Sequence, residues 1–239
     1  MEADARGTVL AVGAHPDDLE ILCGGTLALF ARQGSRVCMC HLTNGEKGGI
    51  GDTVAEIRKT RRAEAIASAG VIGAESISGD IPDGEVIANL ENRSLMIDII
   101  RGVDPDILIT HSPADYHTDH AAVSRLVFEA SYLVTIPHYR TRHPAMRKLP
   151  RLFYMDTVAG IGFEPKEYVD ISSTIDMKRT MMRAHASQIR FVQELSGIDF
   201  LDMIEVTGRY RGYQCNASYA EGFAEHFAWP RTSTQRILP

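Results

Sequence analysis

The sequence predicts an α/β fold, a mostly parallel sheet with helices on both faces, and three observations carry that expectation. Short apolar runs of strand length recur at residues 8–12, 37–42 and 106–110. Segments of helix-forming composition separate them, each closed by glycine or by Asp-Pro. No linker, repeat or low-complexity stretch interrupts the 239 residues, so one domain is expected over 1–239. Alternation of this kind is what parallel strands joined by crossover helices leave in a sequence.

In chain order, residues 8–12 (TVLAV) form an apolar run that ends at Gly13 and reads as a buried strand. A helical stretch follows, with Leu22, Leu27, Leu29 and Phe30 as its apolar positions, and Gly34 stops it. Residues 37–42 read as a second strand, in which Cys38 and Cys40 alternate and therefore face one side. The segment 43–53 carries Gly45, Gly48, Gly49 and Gly51 and reads as a loop. Residues 54–69 are good helix formers that end at Gly70. Residues 76–85 read as a loop with Pro82-Asp83-Gly84 as its turn. Residues 90–101 form an amphipathic helix, Asp104-Pro105 ends it, and 106–110 (DILIT) is a strong strand. Another helix starts at Asp119 and runs to about Tyr132. Beyond it the pattern loosens: 152–155 and 167–171 read as short strands, and 176–195 as one long helix.

Hydrophobic residues make up 44% and charged residues 23%, which is ordinary for a globular chain able to bury a sizeable core and excludes disorder as the dominant state. The net charge of −6 and a pI near 5.8 argue against nucleic acid and anionic membrane surfaces as partners. No apolar run reaches the roughly 18 residues of a membrane span. The segment 1–7 contains Glu2 and Asp4 and no apolar leader core, so a cytoplasmic protein is expected. Cys23, Cys38, Cys40 and Cys215 are too few and too irregular for a disulfide framework and include no C-x-x-C pair; they are expected to be reduced.

Chemistry concentrates after two of the strands. In an open parallel sheet, ligands bind beyond the carboxyl ends of the strands. The first strand delivers His15-Pro16-Asp17-Asp18 there; the strand at 106–110 delivers His111 and then Asp115-Tyr116-His117-Thr118-Asp119-His120. Two histidines and one carboxylate with a position left for water is a donor set that suits catalytic zinc, and His15, Asp18, His117, Asp119 and His120 supply those groups. Asp17 is then free to take a proton from the water. Aspartates at a helix start also serve as caps or face the helix dipole, and each segment alone reads equally as that.

At these residues the sequence resembles the PIG-L/LmbE-type zinc-dependent N-deacetylases, nearest in flavour to the bacillithiol-pathway N-acetylglucosaminyl-malate deacetylases. AHPDDLEILCGGTLA (14–28) is similar to the family's A-H-P-D-D-x-E-x-G-x-G-G-T-[LI]-A, and DYHTDH (115–120) to a D-x-H-P-D-H pattern. LTNGEKG (42–48), PDILITHSPADYH (105–117), VDIS (169–172), HASQ (185–188) and YAEGF (219–223) extend the resemblance over nearly the whole chain. It implies a Rossmann-like fold and hydrolysis of a linear amide, the acetamide of an amino sugar or related small molecule. It implies His15, Asp18 and His120 as zinc ligands and Asp17 as general base. His117 matches the histidine that stabilises the oxyanion or protonates the leaving amine, Asp119 the aspartate paired with it, and Arg58 an arginine near the substrate. Arg61 and Arg62 are alternatives to Arg58, and Arg61 stands where relatives often carry an acidic residue. Homo-oligomers are expected from the resemblance alone. Leu22, Thr118 and Asn44 depart from the usual glycine, proline and arginine, and Asn44 bears on substrate choice.

Other features have blander readings. His41 at a strand end reads as structural, His111 as a supporting residue behind the metal, and His138, His143 and His226 as loop or surface residues. His185 reads equally as helix docking or as a substrate-edge group. Gly24-Gly25 does not fit G-x-G-x-x-G and reads as close backbone packing. The loops 43–53 and 133–150 are expected to line the pocket. The second carries Arg140, Arg142, Arg147 and Lys148, with Arg151 just beyond it, as a solvated basic loop or as contacts to an acidic substrate group. Rival functions are a dinucleotide-dependent oxidoreductase, which lacks its glycine fingerprint, a metal-binding protein without catalysis, and an amidase acting on a thiol conjugate or other non-sugar amide.

Overall fold

A seven-stranded sheet in the order β3-β2-β1-β4-β5-β7-β6 organises the computed structural model, which describes residues 7–231. The strands are β1 Thr8–Gly13, β2 Arg36–Thr43, β3 Glu75–Ile81, β4 Ile107–Thr110, β5 Arg151–Met155, β6 Glu167–Asp170 and β7 Ala220–Glu225. The helices are α1 Asp18–Arg32, α2 Val54–Val71, α3 Leu90–Val103, α4 Thr118–Leu133, α5 Ile175–Arg183, α6 Ala186–Ser196 and α7 Phe200–Cys215. β1 to β5 pair in parallel, and β7 runs antiparallel to both β5 and β6. The expected mostly parallel α/β sheet is therefore present, with an antiparallel edge unit at its C-terminal side. The leader reading of 1–7 falls almost wholly outside the described residues.

Both sheet faces are buried, as crossover helices require. Leu10, Val12, Cys38 and Cys40 point to one face and pack with Met96, Ile97 and Ile100 of α3 and Val123, Leu126 and Val127 of α4. Val9, Ala11, Val37 and Met39 point to the other and meet Leu19, Leu22 and Leu27 of α1, Met181 of α5 and Ile204 of α7. The period of two along β1 and β2 thus assigns each residue to a layer.

Three sequence expectations need correction. Residues 75–81 are an edge strand rather than a loop; Gly79 and the positive φ of Asp80 (61°) break its pattern, and only its last residue is buried. The long helix over 176–195 is two helices, because His185 turns away with ψ 52° and becomes the N-cap of α6. The loop 133–150 does not border the strand carboxyl ends. It joins the end of α4 to the start of β5, at the opposite edge of the sheet, where Lys148 pairs with Asp106 and Arg142 lies 3.7 Å from Asp98. The loop 43–53 does lie at a strand carboxyl end, after β2.

Gly24-Gly25 is a packing feature. A Cβ on Gly25 would lie 2.8 Å from three atoms of Ile171, and the backbone N–H groups of Gly25 and Thr26 donate to the buried Glu221 carboxylate at 2.9 and 2.7 Å. Lys178 completes that contact, with Nζ 2.6 Å from Glu221 Oε1.

Candidate metal centre and active site

In the order β3-β2-β1-β4-β5 the connections leave β1 in opposite directions, so a crevice opens between the carboxyl ends of β1 and β4. The loops that reach it are 14–17 after β1, 44–53 after β2, 82–89 after β3 and 111–117 after β4. His120 lies in the first turn of α4, and Asp18 opens α1.

His15 Nδ1 lies 3.4 Å from Asp18 Oδ2, and His120 Nε2 lies 3.3 Å from Asp18 Oδ1. Ligands about 2.1 Å from a tetrahedral zinc stand roughly 3.4 Å from one another; both distances are close to that, though they involve different Asp18 oxygens. The donor groups within 4.8 Å of one another among the described residues are His15 with His117 and His120, Asp18 with His111 and His120, and His15 with Asp83 and Asp119. Each imidazole is fixed from behind by a carboxylate, the arrangement that orients metal-binding histidines. His15 Nε2 meets Asp119 Oδ2 at 3.2 Å and Asp83 Oδ1 at 3.3 Å, and His120 Nδ1 meets Asp115 Oδ2 at 3.0 Å. His111, fully buried, stacks on His120 with ring centroids 3.9 Å apart and accepts a hydrogen bond at Nε2 from the Ala14 N–H at 2.9 Å.

The charge pattern asks for a cation. Asp17, Asp18, Asp83, Asp115 and Asp119 surround these imidazoles, with Arg61 the guanidinium among them. Burial opposes charge on His15, yet Asp18, Asp119 and Asp83 outweigh it and hold its pKa well above the ordinary value. Burial likewise opposes charge on His120, but Asp18 and Asp115 raise it to about 9. Asp18 is buried, which favours its acid form, but His120, His15 and His111 keep it ionised well below the usual range. His111 is pushed down to about 4 by burial and by the His120 charge, so it is neutral.

Asp17 occupies the N-cap position of α1 but makes no side-chain capping hydrogen bond, so helix capping does not account for it. Its backbone sits at φ 138°, ψ −24°, a region that non-glycine residues rarely visit and that functional sites use when the surroundings enforce it. The enforcing contacts are the Ile21 N–H on Asp17 O at 3.1 Å and Arg61, which donates to Pro16 O at 2.6 Å, Gly45 O at 3.0 Å and Asp17 Oδ2 at 3.3 Å. Burial raises the Asp17 pKa to about 6, against the opposing pull of Arg61.

His117 is exposed at the mouth, 4.9 Å from His15 and 4.5 Å from His120 between ring centroids. Its Nδ1 accepts the Asp119 N–H at 3.3 Å, and burial together with the His120 and His15 charges lowers its pKa. A neutral ring whose Nδ1 accepts must carry its proton on Nε2. The Asp119 carboxylate does not pair with His117: it accepts from the Gly84 N–H at 2.9 Å and faces His15. Arg58 is exposed, pairs with Asp80, and lines with it a groove along α2 that Pro16 and Asn44 also line. The arginine at the site is Arg61, one turn further along the helix. Asp83, in the Pro82-Asp83-Gly84 turn, and Asp115, inside the second motif, reach the site without having been singled out as site residues.

Known proteins similar to this chain include the following. The model of the family described as PIG-L, GlcNAc-PI de-N-acetylase, matches residues 10–131. A 4-oxalmesaconate hydratase from Pseudomonas putida is 28% identical over 190 residues, covering 76% of this chain and 74% of that protein. A diacetylchitobiose deacetylase from Thermococcus kodakarensis is 27% identical over 224 residues, covering 90% of this chain and 81% of its own. The crystal structure of a conserved protein from Thermus thermophilus superposes with a TM-score of 0.80 at 28% identity, over 95% of this chain and 99% of that one.

Proposed function

The match over residues 10–131 spans just over half of the 239 residues, so the chain belongs to the PIG-L family of GlcNAc-PI de-N-acetylases, and on that premise we propose that it is a zinc-dependent N-deacetylase of an N-acetylglucosamine-type small molecule. One observation carries the reading: Asp18 stands within 3.4 Å of both His15 and His120, each backed by its own carboxylate, with the uncapping Asp17 beside them. His15, Asp18 and His120 would hold zinc, which supplies Lewis acidity toward a water and toward the acetyl carbonyl. Asp17 receives the proton of the attacking water and returns it to the departing amine. Arg61 holds the Asp17 carboxylate and the Pro16 and Gly45 carbonyls, and so fixes that proton acceptor in place. His117, with its proton on Nε2, donates to the carbonyl oxygen as charge develops there. A neutral donor is sufficient for this step, in place of the protonated histidine that a general-acid role would need.

An acetate-release assay on N-acetylglucosamine derivatives, with elemental analysis of the protein, tests the reading. Asp17→Asn is expected to lower kcat by about 10²–10⁴-fold with zinc content unchanged. Near-normal deacetylation by the zinc-loaded variant overturns the role of Asp17. A second reading is hydration of an oxo-acid of the 4-oxalmesaconate kind, favoured by the hydratase relative. It uses the same water and base, and the assay separates the two because hydration releases no acetate.

A further inference from the structure

Gln188, in the first turn of α6, is 4% exposed, and no step of the proposed reaction uses it. A glutamine three residues after an N-cap commonly turns back to cap its own helix. Gln188 does not. Its Nε2 donates to the carbonyl of Gly48, in the loop after β2, at 2.6 Å. Two neighbouring contacts fix the start of α6 for this. His185 meets Glu20, and the N–H and hydroxyl of Ser187 donate to Glu64 of α2 at 2.8 and 2.6 Å. Glu64 and Arg61 lie three residues apart on that helix, so α6 is tied to the element that carries Arg61.

From Gly48 the contacts run on to Asp17. The Gly48 N–H donates to Gly45 O at 3.1 Å, and the same carbonyl accepts Arg61 Nη1 at 3.0 Å. Arg61 Nη2 then reaches Pro16 O and Asp17 Oδ2. The turn closes tightly on the guanidinium: a Cβ on Gly45 would lie 2.7 Å from Arg61 Cζ, and one on Gly48 2.5 Å from Nη1. The rest of Arg61 is weakly held. Its Nε is buried without a partner, and Asp83 Oδ2 stands 3.9 Å from Nη1. The direction of the guanidinium therefore depends on the 45–48 turn, and the turn depends on Gln188. Asp17 needs such a hold, because its φ of 138° is one that a non-glycine residue keeps only when its surroundings enforce it.

We propose that Gln188 is a positioning residue for the Asp17 proton acceptor: it keeps the 45–48 turn closed on Arg61, and Arg61 aims the Asp17 carboxylate. The proton-accepting role of Asp17 rests on the deacetylase reading; the hold of Gln188 on Arg61 does not.

The test has two arms and two routes to Arg61. Gln188→Leu keeps the bulk and removes the donor. Gly48→Ala leaves Gln188 in place and drives a methyl group into the guanidinium, so it serves even where the first variant fails to fold. In the first arm, kcat and KM are measured on the N-acetylglucosamine derivative from which the wild type releases acetate fastest. Each variant is expected to lower kcat about 10–100-fold, with KM within about twofold and zinc content unchanged. Arg61→Leu is expected to behave alike, and adding Gln188→Leu to it to lower kcat no further, because residues that act through one another are not additive. A wild-type kcat in Gln188→Leu with only a lower unfolding midpoint overturns the proposal, as does a double variant in which the two losses multiply. The second arm needs no substrate. Phenylglyoxal, which attacks accessible guanidinium groups, is followed by peptide mass spectrometry. Arg61, 2% exposed, is expected to stay unmodified in the wild type and to react at least about tenfold faster in the folded variants, where the turn opens locally. Ready reaction in the wild type, or equal protection in the variants, overturns the proposal. If no derivative releases acetate, the deacetylase reading fails while the labelling still decides whether Gln188 holds Arg61.

Discussion

Glu20 and His185 are both fully buried, 3.0 Å apart, and Ser68 Oγ donates to the same Glu20 oxygen at 2.5 Å. Burial opposes charge on both, yet each holds the other ionised: Glu20 falls well below its ordinary range and His185 rises above 6.5. The imidazolium is thus the favoured folded form. Its contribution is complete below the ordinary value of 6.5 and is lost as pH climbs through the raised one. His185→Gln is expected to cost about 3–5 kcal/mol below pH 6.5 and progressively less above it. Denaturant unfolding of both proteins across that range checks this, and a difference that does not change with pH would remove the charge from His185. The same pair shows what a sequence conceals at this scale. His15, Asp18 and His120 are legible as a donor set because two short segments concentrate them. Asp83 reads only as a turn residue, and the support that Asp115 gives His120 depends on one side chain folding back on another five residues away. His185 has nothing local to mark its partner, which lies at the start of the chain.

At the scale of elements, α1 is legible from its apolar positions and from Gly34, but the reason for Gly24-Gly25 lies in strands that come much later. Gly25 lets Ile171 approach and lets the helix backbone meet Glu221. Gly25→Ala is expected to destabilise by about 1–3 kcal/mol, because three Ile171 atoms would stand 2.8 Å from the new methyl. A thermal unfolding midpoint unchanged by the substitution would show that Ile171 moves aside freely. β3 escapes the sequence because an edge strand with one buried residue lacks an apolar run, and Gly79 interrupts what alternation it has. The break between α5 and α6 escapes because Ala184 and His185 carry no helix-stopping signal; a buried ion pair, not propensity, redirects the chain there.

At the scale of the whole molecule, sheet direction decides which loops can take part in chemistry. Every helix-to-strand connection among β1 to β4 runs to the edge opposite the site, and 133–150 does the same before β5. The double charge reversal Arg140→Glu/Arg142→Glu is accordingly expected to leave KM for an acidic substrate within about twofold. Steady-state kinetics check it, and a large rise in KM would return that loop to the pocket. This placement follows from chain order once β5 is known to be parallel, so it is readable in principle; the count of basic residues distracts from it.

The position of β7 sets a condition on assembly. Every residue of the candidate metal centre lies before position 121, so a nascent chain carries the full donor set with residues 121–239 still to be made. Yet the Gly25 and Thr26 N–H groups of α1 receive their carboxylate from Glu221, 196 and 195 positions later, and β6 reaches the sheet only through β7. A ribosome-bound fragment ending before residue 220 therefore holds all the groups of the candidate site, while the helix that Asp18 opens still lacks its central contact. Closing so long a loop is also the slow kind of step in folding, which makes the last strand the one that completes the layer beneath Asp18.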